Sequence, residues 1–176
     1  MKATRPIHLL NLIALLVLFG FAASVFDDLP RRVPIHFNFS GSPDRWVELS
    51  WLNWLLLPLT ALGLALFNYA CTLLIPYLRK RPDLINVPNK EKFLRMTPVQ
   101  REPLFQAFGD LFYWMTLPMT LFFLALQRES YLVATGDAKT ISVWAPMIIL
   151  FTVVLGLIIY FVAKVNRIIG VAKTGR

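Results

Sequence analysis

Residues 9–26 read Leu-Leu-Asn-Leu-Ile-Ala-Leu-Leu-Val-Leu-Phe-Gly-Phe-Ala-Ala-Ser-Val-Phe, and this run decides the fold. It carries no charge and has the length, roughly 18–20 residues, that a helix needs to cross hydrocarbon. Asp27 and Asp28 close it, since paired carboxylates do not continue into lipid. Outward from this run, three further apolar stretches follow at about 52–78, 107–127 and 141–163, none with a Lys or Arg at its centre. Of 176 residues 57% are hydrophobic and 16% charged, where soluble domains carry about one quarter charged residues. The sequence therefore predicts an all-α integral membrane protein: one domain over 1–176, with four transmembrane helices and a short extended motif loop between the first and second.

The formal charge of +8 is an orientation signal rather than a nucleic-acid footprint. Thirteen Lys and Arg fall on the face that would hold both termini and the 79–104 connection, and five fall on the other. The positive-inside rule then puts the termini in the cytoplasm and the 27–50 loop outside. Lys2, Arg5 and the small residues Ala22-Ala23-Ser24 also imitate a secretory signal. The apolar run is long for one, and four retained spans give a self-consistent topology. The single cysteine, Cys71, leaves no intrachain disulfide to form.

Within the spans, Asn11 and Asn68 read as groups that hydrogen-bond between helices, and Trp51 and Trp54 as an interfacial anchor pair. Pro58 and Pro118 are expected to kink the second and third spans. Asp110 sits near the entrance of the third span as an interfacial or helix-partnered acid, and His8 as an interfacial residue. In the 79–104 connection, Thr97-Pro-Val-Gln100 combines a cap, a first-position proline and a reciprocal Gln. It predicts a helix running from Pro98 unbroken into the third span.

The chemistry concentrates in Leu29-Pro-Arg-Arg-Val-Pro-Ile-His-Phe-Asn-Phe-Ser-Gly-Ser-Pro-Asp-Arg-Trp46. From Val33 to Phe39 a period of two would send Ile35, Phe37 and Phe39 one way, and His36 and Asn38 the other. Pro34, Gly41 and Pro43 shape the turn, with Gly41 free to take positive φ. The turn can fold Asp44 or Glu48 back over His36 and Asn38. The candidate ligand-binding residues are thus His36, Asn38, Asp44 and Trp46. Three readings stay open: a structural clasp, a binding site for a peptide, lipid headgroup or small molecule, or a catalytic or metal site with His36 as base or ligand. One His with scattered carboxylates is short of a recognisable metal spacing. Ser40 and Ser42 are weak nucleophile candidates, and no cofactor is implied.

The loop resembles the signature of a bacterial membrane family, domain of unknown function 1648, which also forms the N-terminal part of SdpI-type immunity proteins. Leu29, Pro30, Pro34, His36, Asn38, Gly41, Pro43, Asp44 and Trp46 carry the likeness. Ile85-Asn86-Val87-Pro88-Asn89-Lys90-Glu91 looks like a second signature, on the cytoplasmic side, found in a subset of these proteins. The likeness covers about the first 105 residues closely and the last two spans only in general character. It implies a bacterial inner-membrane protein. SdpI-type proteins protect a cell from a secreted antimicrobial peptide, and some hold a transcriptional repressor at the membrane. This chain is shorter and lacks a counterpart of their C-terminal half. The expectation that follows is a non-enzymatic protein in the bilayer, binding or sensing a secreted peptide or envelope ligand at its outer face. Its 79–104 connection would meet a cytoplasmic protein partner. A small enzyme acting on lipid or peptide at the outer leaflet is the alternative.

Overall fold

The computed structural model describes residues 5–172. Four helices are long and apolar enough to cross a membrane: Pro6–Asp28, Leu56–Lys80, Pro98–Thr135 and Trp144–Val171. The first is made by α1 (Arg5–Ser24), which starts one residue earlier, runs through the quoted apolar stretch and passes into a short 3-10 turn, Phe26–Asp28, at the two aspartates. The loop after it is not merely extended. It closes into an antiparallel hairpin of β1 (Arg32–Phe37) and β2 (Pro43–Glu48).

The second span departs from one straight helix. It is built from α2 (Trp51–Trp54), α3 (Leu56–Thr72) and α4 (Ile75–Lys80). Pro58 explains the first break: it lacks the N–H that would reach back four residues to the Trp54 carbonyl. Gln127 on the third span makes good the loss, its Nε2 donating to that carbonyl at 3.2 Å. After α5 (Lys90–Arg95) comes α6 (Pro98–Thr135), opened by the expected capping box. Thr97 Oγ accepts from Gln100 N, and Gln100 Oε1 accepts from Thr97 N. Gly136, at φ 86°, ends α6 in the left-handed conformation common after helix C-termini. The last span, α7 (Trp144–Val171), starts later than 141; Ile141 contacts the hairpin, as described below, and Ser142 N donates to Glu129 Oε2 at 3.2 Å.

The long helix α6 is the axis of the bundle and packs against α1, α3 and α7. Its seam with α1 and α3 is polar. Asn11, buried, donates through Nδ2 to the Tyr113 carbonyl at 3.0 Å and to the Tyr69 hydroxyl at 3.3 Å. His8 Nδ1 lies 2.8 Å from the same hydroxyl, and Asn68 Nδ2 donates to Thr116 Oγ1 at 3.3 Å. Away from water the donors of these groups find partners inside the protein, which ties three helices together, while the buried Asn11 Oδ1 has none among the described residues. The outward faces carry exposed Leu12, Leu16, Ile148 and Ile159, as lipid contact requires.

Two apolar clusters close the ends. Ala22, Leu29, Val33, Trp54 and Ala134 hold the hairpin onto the bundle. Trp54 is 3% exposed and donates its indole N–H to the Ala22 carbonyl at 2.8 Å. It is therefore a core residue and not an interfacial anchor. Trp51, half-exposed and stacked on Phe26 at 3.6 Å, keeps the outer position. At the other end, Ile85 and Val87 bury into a cluster with Phe93, Leu104, Val165 and Ile169.

Candidate functional site: the hairpin end

The hairpin register pairs Val33 with Val47, Pro34 with Trp46, His36 with Arg45 and Phe37 with Pro43. Irregularities on both sides of His36 break the expected alternation. Val33 and Pro34 are both buried, Ile35 and His36 both exposed, and Phe37 is half-buried. A bulge of this kind re-aims side chains that a regular strand would send to opposite faces.

Asp44, not Asn38, is the residue brought to His36. His36 Nδ1 and Asp44 Oδ1 lie 2.5 Å apart across the hairpin, with the two side chains 58% and 43% exposed. An ionised carboxylate only accepts, so Nδ1 carries the proton in this contact. On the neutral ring, Nε2 is then left as an acceptor. Asn38 is committed to the tip. Its Oδ1 accepts from Ser40 N at 3.0 Å, Ser40 Oγ at 2.7 Å and Ser42 N at 3.0 Å. Its main chain adds bonds to Ser42 and Gly41. This is the local side-chain turn for which Asn is favoured.

Gly41 has φ 80° and is buried by an approach visible only in three dimensions. Its carbonyl accepts from Ile141 N at 2.8 Å. A Cβ at this position would run into the Ile141 carbonyl oxygen. The tip of the hairpin is thus tied to the segment that opens α7, and Phe39 meets Trp144 edge-on at 5.1 Å. Trp46 stands half-buried opposite Pro34, its carbonyl accepting from Arg32 at 3.2 Å. Beneath the hairpin a cavity of about 120 Å³ is lined by Pro34, Ile35 and Phe37 above, and by Trp54, Gln127 and Ile141. Gln127 was not among the expected site residues. A lone Gln in an apolar run was its only signal.

The expected nucleophiles do not meet the histidine. Ser40 Oγ donates to Asn38 and lies 3.3 Å from Ser42 Oγ. Among the described residues no three of His, Cys, Asp and Glu gather into a metal-binding set. Glu48, the other acid weighed for the turn, pairs with Arg31 at 3.6 Å in full exposure.

At the opposite end the Asn86–Lys90 segment behaves as a wedge. Ile85 and Val87 flank Asn86 and point into the core, and Asn89 takes the left-handed conformation at φ 53° to start α5. The last turns are then capped by cations: Arg101 donates to the Phe93 and Leu94 carbonyls at 3.1 and 2.6 Å, and Lys92 to the Gly170 carbonyl at 2.8 Å. Pro88 and Lys90 flank Asn89 at this turn. Arg79 makes a two-point bond to Glu102, and Arg81 another to Asp83. The Arg81 hydrogen bond holds the Asp83 carboxyl below its ordinary range, and Asp83 raises Arg81 in return.

No curated protein and no solved structure matches the chain. Residues 12–62 match the family model described as Domain of unknown function (DUF1648). The matched interval runs from α1 through the hairpin into α3, so it contains His36, Asp44, Asn38 and Gly41 in the arrangement just described. The match is a likeness of this part of the chain, most of the first span with its hairpin and the opening of the second, to the DUF1648 family.

Proposed function

We propose that this protein is a receptor-like membrane component that binds a peptide or other envelope ligand at the hairpin end, with that end facing outward. The observation that carries the reading is the division of labour in the hairpin. Asn38, Gly41, Val33 and Trp54 hold the fold, while His36 and Asp44 stay largely exposed and touch chiefly each other. A bound group that donates to Nε2 of the Asp44-oriented imidazole would find that pair preformed. Strand β2 makes its extended contacts with β1 alone, whereas β1 also lies against α6. The outer edge of β2 therefore offers main-chain N–H groups to an added peptide strand, while its Trp46 and Glu48 carbonyls already accept from the Arg32 and Asn53 side chains. The charge distribution supports the orientation, with both termini in the cytoplasm of a bacterial inner membrane. Immunity to an antimicrobial peptide and sensing of envelope stress are two forms of this reading. In both, occupation of the hairpin would shift Ile141 and Trp54, and through the α6 axis reach the basic 79–104 segment, where a cytoplasmic protein would dock.

The His36–Asp44 contact also favours a second reading, an outer-leaflet enzyme with His36 as base, because a carboxylate on Nδ1 orients the ring as catalytic histidines are oriented. The absence of a neighbouring nucleophile in the hairpin weighs against it, leaving only an activated water. The test is a panel of synthetic extended peptides, scored by saturable thermal stabilisation of the protein in mild detergent. Binding should fall in His36→Ala, Asp44→Ala and Trp46→Ala, with melting temperatures otherwise held. If no peptide stabilises the protein, the peptide form of the reading fails, and if every hit survives His36→Ala and Asp44→Ala, the hairpin is not the binding site. Slow hydrolysis of a peptide or lipid by wild type, lost in His36→Ala, would install the enzyme in its place.

A further inference from the structure

A second feature lies away from the hairpin, between α6 and α7. Near the end that carries both termini the two helices pack closely: Phe108 meets Phe161 edge-on at 4.9 Å, and Val165 and Ile169 are buried. Towards the hairpin they leave two adjoining cavities, of about 340 and 460 Å³, which share Trp114 and Leu157. The first is walled by Asp110 and Lys164 together with Leu111 and Tyr160. The second is lined by apolar residues, among them Pro118, Leu121, Pro146 and Val153. A charged mouth therefore continues into an apolar trough.

Depth can be read from the same residues. Residues 111–127 of α6 and 145–163 of α7 hold no charge. At 1.5 Å per residue, Trp144 to Lys164 spans about 30 Å, the thickness of the hydrocarbon core. With Trp144 at one interface, Lys164 and Asp110 stand at the other, at headgroup level. From Asp110 to Ala125 the trough runs about 22 Å, longer than the roughly 15 Å depth of one leaflet. It has room for a whole acyl chain.

The charges at the mouth select the headgroup. Lys164 Nζ and Asp110 Oδ2 are 3.4 Å apart, a loose contact between side chains each about one third exposed. Each therefore retains free donors or acceptors toward the cavity. We propose that this trough binds one phospholipid with a phosphoethanolamine headgroup, its phosphate on Lys164, its primary ammonium on Asp110 and one acyl chain along Trp114 and Leu157. An anionic phosphoglycerol headgroup would satisfy Lys164 and leave Asp110 against added negative charge. A phosphocholine headgroup presents a quaternary ammonium that cannot donate a hydrogen bond to the carboxylate. The site binds a structural lipid and is independent of any ligand at the hairpin.

Trp114, at the junction, provides the probe. The protein in neutral detergent is titrated with phospholipids of identical brominated acyl chains carrying ethanolamine, choline or glycerol headgroups, and tryptophan quenching is followed, with Trp114→Phe identifying the signal. Ethanolamine lipid should bind about tenfold more tightly than the other two, the worth of one charge-assisted hydrogen bond. Asp110→Asn should abolish the preference for ethanolamine over choline, and Lys164→Gln should weaken all three. Leu157→Phe, which narrows the trough at its junction, adds no fluorophore that the bromines would quench and leaves both charges in place, should remove the saturable quenching. It keeps the test available should the charge variants fail to fold. Equal affinity for the three headgroups, a preference that survives Asp110→Asn, or saturable quenching that survives Leu157→Phe would each overturn the proposal.

Discussion

At the scale of single residues, the hairpin separates groups that look alike in the sequence. His36 and Asn38 stand two positions apart with the same polarity, yet Asn38 Oδ1 collects three hydrogen bonds within the tip while His36 faces outward on Asp44. Replacing Asn38 by Ala should cost about 1–2 kcal/mol, since each exposed bond nets only about 0.5–1.5 kcal/mol. His36→Ala should cost less than about 1 kcal/mol, the ordinary worth of an exposed pair. Melting curves of the two variants in the same detergent check the order, and a larger loss at His36 would make the pair a structural clasp. Gly41→Ala should be worse than either. It must force an L residue to φ 80° and push its Cβ into the Ile141 carbonyl, for a loss of about 1–3 kcal/mol. Gly20→Ala, where an added Cβ meets nothing, serves as the control. The positive φ at Gly41 was legible from the Ser-Gly-Ser-Pro turn. The close approach was not, because Ile141 is a hundred residues away in the chain.

At the scale of elements, Pro58 and the cap at Thr97 do what their local chemistry requires, whereas α6 runs as one helix through Pro118, where a kink was expected. Thr97, Pro98 and Gln100 announce α6 by themselves, and Thr97→Ala should lower stability by about 1 kcal/mol. Pro58 announces a break in the second span, but nothing near it in sequence names Gln127 as the donor to the orphaned Trp54 carbonyl. Gln127→Leu should therefore cost about 1–3 kcal/mol, by leaving that buried acceptor bare. If Gln127→Leu instead melts at or above wild type, relief of the buried, unpartnered Gln127 Oε1 outweighs the lost bond. The Arg81–Asp83 turn offers a pH signature. A carboxyl held below its ordinary range adds its pairing at higher pH, and the pairing is lost as pH falls through the lowered value. Both groups are fully exposed, so local exchange at residues 81–85, and not the melting temperature, should report the change.

At the scale of the whole molecule, α6 connects everything: α1 and α3 through a polar seam, α7 through the ring packing of Phe108 on Phe161, and the hairpin through β1. The hairpin and the Asn86–Lys90 wedge consequently sit at opposite ends of one bundle. In a Cys71→Ser background, Ser42→Cys should react with an impermeant thiol reagent on intact cells, and Lys90→Cys only after the membrane is opened. The reverse pattern would invert the topology and remove the outward-facing reading of the hairpin.

The sequence by itself determined the elements that depend on short stretches of chain. Four apolar runs of bilayer length, the capping box at Thr97 and the Gly41 turn are local facts, because helix length, capping and φ are governed by neighbours within a few residues. The tertiary structure alone decided which groups meet. It set Asp44 on His36 through bulges in β1, buried Trp54 where an interfacial anchor was expected, turned Ile85 and Val87 into the core, and tied Gly41 to Ile141. Apart from the local His36–Asp44 contact, where the turn offered Asp44 and Glu48 alike and the bulges chose Asp44, those pairings depend on how the helices pack across long intervals of chain, and residue spacing carries no record of that packing.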